Sequence, residues 1–196
     1  MAQGPSDLLT WLAALVLACA LILAAPAGGV ADETGWQALR APGTHILMRH
    51  AMAPGVCDPV GFRLGDCATQ RNLDAGGRAQ AARIGASVAG KGIGFDRVLT
   101  SEWCRARETA MLLGLAPVEA EPALNSFFDD RASAGAASRA VRDRLAAAGP
   151  DEKLVLVTHQ VNITALTGIF PASGEMIVVA LAADGALVVR GRIGLD

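Results

Sequence analysis

From Thr44 to the C-terminus, short apolar runs alternate with segments of helical spacing, and that alternation restricts the chain to an α/β architecture with a mostly parallel sheet. Thr44–Met48, Arg97–Thr100 and Pro117–Glu119 read as short strands, and Met176–Leu181 with Ala186–Val189 as a hairpin around Asp184-Gly185. Leu154-Val155-Leu156-Val157 is unbroken, as a strand covered on both faces requires. Helices are predicted over Ala75–Ala89, Cys104–Leu113, Ala136–Ala148 and Asn162–Thr167. The expected fold is a three-layer α/β/α sandwich.

A chain of 196 residues holds one domain with a real core. Seventeen Lys+Arg against nineteen Asp+Glu give a net charge of −2, so no broad basic surface suggests nucleic acid. Only Lys91 and Lys153 are lysines; the other cations are arginines, which suit bidentate anion binding. Three His and four Cys without tight pairs supply no zinc cluster, and no cofactor is expected.

Leu8 to Ala27 carries no charge and one polar residue, Thr10. Such a run is long enough to cross a hydrocarbon layer of about 30 Å, and Ala25-Pro26-Ala27 offers a small-x-small cleavage pattern. The expectation is export, with residues 1–27 a cleaved signal peptide or a membrane anchor. The protein is then periplasmic, or tethered through residues 8–27 and facing the periplasm. Residues 28–42 read as a polar linker and 43–196 as the domain.

In open α/β sheets the working residues lie beyond the carboxyl ends of the strands. Met48 runs into Arg49-His50, Thr100 into Ser101 and on to Arg105, and Val157 into Thr158-His159. Two imidazoles and two guanidinium forks suit a phosphate dianion: arginine binds its oxygens bidentately, and imidazole attacks phosphorus or lends a proton near neutral pH.

These segments resemble the histidine phosphatase superfamily, the phosphoglycerate mutase-like family. Leu47 to Ala51 resembles its Arg-His signature. Arg71-Asn72-Leu73 through Gly77 to Gln80-Ala81 resembles the helix that follows, Thr100 to Ala110 the serine–arginine–threonine motif, Val157 to Asn162 the second histidine block, and Gly174-Glu175 the opening of the last strands. The resemblance implies that His50 is the nucleophile, carrying a phosphohistidine. It implies that Arg49, Arg105 and His159, the last as imidazolium, hold the phosphate with the Gln160 backbone. No metal is needed. The expected partner is a small phosphate ester, or a phosphosugar of the cell envelope, hydrolysed by a phosphomonoesterase. Export disfavours a glycolytic mutase.

The chain departs from the pattern at Asn125, which stands where many members carry a glutamate. An amide cannot protonate a leaving alkoxide. Either Asp129 or Asp130 serves as the acid, or the leaving group needs little protonation; alternatively, the protein is a catalytically weak phosphate-binding or envelope-sensing module. The 53–71 loop is long, and its Arg63 or Arg71 is a candidate for meeting an acidic substrate. Cys67 and Cys104 flank segments expected to meet at the site and are the preferred disulfide, with three reduced thiols the alternative. Cys57-x5-Arg63 is rejected as a cysteine-phosphatase loop, because Asp58 would place negative charge in the cradle and Pro59 removes a donor. Gly85 to Lys91 closes a helix and is no nucleotide loop, and His45 reads as structural.

Overall fold

The apolar runs assemble into one six-stranded sheet in the order β3-β2-β4-β1-β5-β6, formed by β1 (Thr44–Arg49), β2 (Arg97–Thr100), β3 (Val118–Ala120), β4 (Leu154–Thr158), β5 (Met176–Leu181) and β6 (Leu187–Ile193). The computed structural model describes residues 29–195; the run Leu8–Ala27 and the export expectation resting on it lie outside the described residues. Strands β3, β2, β4 and β1 pair in parallel, and β5 and β6 add antiparallel. Parallel neighbours need long crossovers. These are supplied by α2 (Ala75–Gly90), α3 (Cys104–Leu113) and α4 (Ala134–Ala146), whereas β5 and β6 need only a turn at Gly185.

Side chains alternate across the sheet with the period of two that a pleated strand imposes. Ile46, Met48, Val98, Val155, Val157 and Val178 face α2, α3 and α1 (Gly29–Leu39). Leu47, Leu99, Leu154, Leu156, Ile177 and Val179 face α4 and α5 (Gln160–Thr167). The three layers expected from the sequence are therefore present, with a mostly parallel centre. Among the described residues no helix is long and apolar enough to cross a membrane.

The stretch read as a linker differs. Residues 29–39 form α1, Trp36 is 3% exposed and Leu39 fully buried, so the packed domain begins before Gly43. Its helical pattern is short and interrupted by Gly29 and Gly35, and tertiary contact decides its fate. At Gly35 an added Cβ would lie 2.6 Å from the Arg192 carbonyl oxygen, so the helix lies directly on β6. Lys153 Nζ donates to the Leu39 and Ala41 carbonyls at 2.8 and 3.1 Å, satisfying acceptors at the helix C-terminus.

The α2–α3 contact is equally close. A Cβ on Gly85 would lie 2.1 Å from the Leu113 carbonyl oxygen, and backbone cannot swing aside as a flexible side chain can. Gly85→Ala is expected to destabilise the domain by about 3 kcal/mol, lowering the melting temperature by roughly 6–12 °C. An unchanged thermal transition would contradict this packing.

Candidate active site

Three adjacent parallel strands end on one edge of the sheet. Register pairs Thr100 of β2 with Val157 of β4, and Arg49 of β1 with Thr158 of β4. The next residues are Ser101, His50 and His159. Backbone bonds carry the ladder one step further, His50 N to Thr158 O and Ser101 N to Val157 O, both 3.0 Å. The two imidazole centroids lie 5.4 Å apart. His50, His159, Arg49 and Arg105 line one cavity of about 230 Å³.

His50 is held in one tautomer from two sides. Its Nδ1 lies 2.7 Å from the Ala51 carbonyl, to which only a protonated nitrogen can donate, and its Nε2 accepts from Arg105 Nε at 3.3 Å. The lone pair therefore resides on Nε2. Burial pushes the His50 pKa down to about 3; the Ala51 bond resists, and Arg105, Arg71 and Arg49 add to the fall. The ring is neutral throughout the physiological range.

His159 is also held neutral, well below the usual histidine range, by burial and then by His50, Arg105, Arg71 and Arg49. This corrects the imidazolium expected at that position: a fully buried ring ringed by guanidinium groups cannot readily take a second proton. Its Nε2 lies 2.8 Å from Ser101 Oγ, which donates to Asn125 Oδ1 at 3.2 Å. Both ends of the Asn125 amide are engaged, since Oδ1 also accepts from Glu102 N at 2.9 Å and Nδ2 donates to Glu102 Oε2 at 2.7 Å. Asn125 thus fixes the loop that orients His159.

Three arginines face the cavity. Arg49 Nη1 donates to Pro171 O at 2.9 Å, whereas its Nε is buried without an acceptor. Arg71 Nη1 donates to Ala53 O at 2.6 Å, and its Nε is likewise buried and unpartnered. Buried N–H groups left without acceptors are costly. Arg105 is anchored by Asp58: its Nη1 donates to Oδ1 and Oδ2 at 2.8 and 3.1 Å, with the side chains 5% and 9% exposed. Asp58 also accepts from Arg71 N at 2.9 Å and Trp103 Nε1 at 3.1 Å. Burial raises the Asp58 pKa, but the Arg71 amide and the Arg105 guanidinium outweigh it and hold the carboxylate ionised.

Asp129 and Gln160 line the cavity; Asp130 does not. Asp129 is an exposed carboxyl at the mouth, and Gln160 opens α5. Arg71 lines the cavity, whereas Arg63 is ion-paired with Asp66 at 2.6 Å, outside it. Sequence reasoning missed the roles of Asp58, Trp103 and Ser101. The first of these was legible only as the flaw in the Cys57–Arg63 pattern. Cys57 is a free, exposed thiol beside the cavity.

The surrounding motif residues brace the site. Thr109 Oγ1 accepts from Ala51 N at 3.0 Å and donates to Arg105 O at 2.7 Å. Gln80 links Met52 N to Ser173 O at 2.9 and 3.0 Å. Gly174, at φ +80°, donates its N–H to Arg49 O and His50 O. Cys67 and Cys104 are disulfide-bonded with Cα atoms 5.6 Å apart, fastening the 51–74 loop to the residue before Arg105.

The buried histidines predict a pH dependence of stability. His45, lowered to about 4 by burial and then Lys153, accepts from Leu154 N at 3.3 Å, a structural role. With His50 lowered to about 3 and His159 also lowered, the unfolded chain takes up protons below pH ~6.5 that the folded one refuses. Their contribution is complete above that pH and is lost as pH falls toward the folded values, by roughly 1.4 kcal/mol per pH unit for each ring. Urea unfolding at pH 7.5 and pH 5 should show a clearly lower midpoint at pH 5; equal midpoints would contradict neutral, buried rings.

Residues 46–128 match the family described as histidine phosphatase superfamily (branch 1). Solved structures with the same fold include the protein histidine phosphatase SixA complexed with tungstate, at 18% identity over 77% of this chain and 96% of that chain, TM-score 0.56. Another is a putative alpha-ribazole-5'-P phosphatase from Escherichia coli, at 20% identity over 80% and 100%, TM-score 0.55. A third is phosphoserine phosphatase from Entamoeba histolytica in complex with 3-phosphoglyceric acid, at 14% identity over 78% and 98%, TM-score 0.58. No curated protein sequence matches the chain. The matched segment carries Arg49-His50 and Arg105, and over these residues the chain is similar to the histidine phosphatase superfamily, whose fold it shares.

Proposed function

We propose that the protein is a phosphomonoesterase that works through phosphohistidine on His50, without a metal ion. The observation that carries this reading is the fixed lone pair of His50 Nε2, 3.3 Å from Arg105 Nε, in a cavity also lined by Arg49 and Arg71. An incoming phosphate draws the Arg105 N–H onto its oxygens and frees Nε2 for in-line attack. The Nε2–P bond forms as the bond to the leaving oxygen breaks. Charge on the equatorial oxygens meets three guanidinium groups, one of them offset by Asp58. Asp129, at the mouth, donates a proton to the leaving oxygen. Water then attacks phosphorus, its proton passes to Asp129, the P–N bond breaks and phosphate leaves. Among the described residues no three His, Cys, Asp or Glu side chains gather as metal ligands do. The Cys67–Cys104 bond supports an oxidising compartment, in keeping with an exported protein.

One observation favours a second reading, a phosphate-binding module with weak turnover: Asn125 occupies the acid's place and is spent on Ser101 and Glu102. p-Nitrophenyl phosphate separates the two, because its leaving group hardly needs an acid. Rapid turnover, unaffected by EDTA and accompanied by acid-labile, base-stable label on the protein, is the expected result. Binding of vanadate without turnover would favour the module, and dependence on added metal would overturn the metal-free mechanism.

A further inference from the structure

Val56, Phe128 and Phe170 are 83%, 44% and 69% exposed, and all three line the mouth of the cavity that holds His50. Isolated apolar side chains on a surface mean little, but a contiguous set around a cavity marks a binding surface. They come from three separate loops, two of them tied to residues of the phosphate site. Val56 precedes Asp58, the anchor of Arg105, by two residues, and Gly55 O beside it accepts from Arg71 Nη1 at 3.3 Å. Phe170 precedes Pro171, whose carbonyl accepts from Arg49. Phe128 is braced by Arg131, which donates from Nε to its carbonyl at 3.0 Å and places its guanidinium 4.9 Å from the ring centroid.

The same three residues, with Gln160 and Val161, continue into a groove that runs past Ala134 and Ala165 between α4 and α5. Of its three polar side chains, Gln160 and Thr164 bond one another, and Arg131 bonds the Phe128 carbonyl through Nε. Gln160 Nε2 donates to Thr164 Oγ1 at 2.8 Å, and that hydroxyl donates to Ile169 O at 2.7 Å. A hydroxyl-rich sugar would find few free partners along this wall, whereas an alkyl or aryl group would displace water from apolar surface.

We infer that the groove is a subsite for the leaving group, and that the substrates are phosphate monoesters whose leaving group is apolar. This rests on the phosphomonoesterase reading for the position of the phosphate, and it narrows the substrate from a phosphosugar to an alkyl or aryl ester. Continuity fixes the occupant: a phosphate held by Arg49, Arg71 and Arg105 must send the rest of the ester out between Val56, Phe128 and Phe170.

The test measures calorimetric binding of n-alkylphosphonates, from methyl to octyl, to the full-length protein. These probes are not hydrolysed, so the readout does not depend on turnover. The dissociation constant is expected to fall roughly two- to fourfold per methylene until the groove is filled, with a negative heat-capacity change. Phe170→Ala, at an exposed position, should flatten that slope. A dissociation constant independent of chain length, tighter binding of glucose 6-phosphate than of hexylphosphonate, or no phosphonate binding at all would each overturn the apolar subsite. A chain-length slope with no turnover of p-nitrophenyl phosphate would retain the subsite and overturn the phosphatase reading instead.

Discussion

Replacing His50 with alanine is expected to lower kcat on p-nitrophenyl phosphate by about ten-thousand-fold or more, the scale seen when a covalent nucleophile is removed. The same change should erase acid-labile label on the protein. The geometry favours so large an effect because no other group is placed to substitute. His159 also lines the cavity, but its Nε2 is committed to the Ser101 hydroxyl at 2.8 Å. Cys57 is exposed, and its loop offers no backbone cradle because Asp58 is turned onto Arg105. The cost to folding should be modest by comparison. Alanine gives up the bond from Nδ1 to Ala51 O, worth about 1 kcal/mol. His159→Ala is the informative partner, since it should slow turnover yet still permit labelling at His50. Label persisting in the His50 variant would remove the nucleophile from this residue.

Why these histidines were legible and the carboxylate beside them was not follows from what fixes each one. His50 and His159 follow strands whose burial is written in the apolar residues within them, Ile46–Met48 and Leu154–Val157, so their place at the sheet edge is set by register. Arg105 occupies the first turn of a helix whose bounds, Cys104–Leu113, follow from local pattern. Asp58 and Arg71 belong to the irregular 51–74 loop, whose path is set by long-range bonds such as Asp58 to Trp103 and Arg71 to Ala53. No periodicity encodes such bonds. Asp58 was weighed as an intruder in a cysteine-centred cradle; the fold makes it the counter-charge of an arginine-centred one. The charge on His159 was illegible for a related reason, because desolvation depends on what covers a residue and no local pattern carries that.

Arg105→Ala is expected to cost at least about 3 kcal/mol of transition-state stabilisation, a loss of more than roughly a hundredfold in kcat/KM. It should also destabilise the fold. Asp58, whose side chain is 9% exposed, would lose its charge partner while still ionised, and breaking one side of a buried pair typically costs about 3–5 kcal/mol. The two losses have different origins and can be separated. Adding Asp58→Asn to Arg105→Ala removes the stranded charge, so much of the stability should return while kcat/KM stays low. Asp58→Asn alone leaves Arg105 in place and raises the net positive charge facing the phosphate. Inorganic phosphate should then inhibit more tightly, and kcat should fall because phosphate leaves more slowly and the guanidinium is less firmly held. Recovery of kcat/KM together with stability in the double variant would show that Arg105 serves only to neutralise Asp58. Continued loss of activity in a restored fold would place its charge on the phosphate itself.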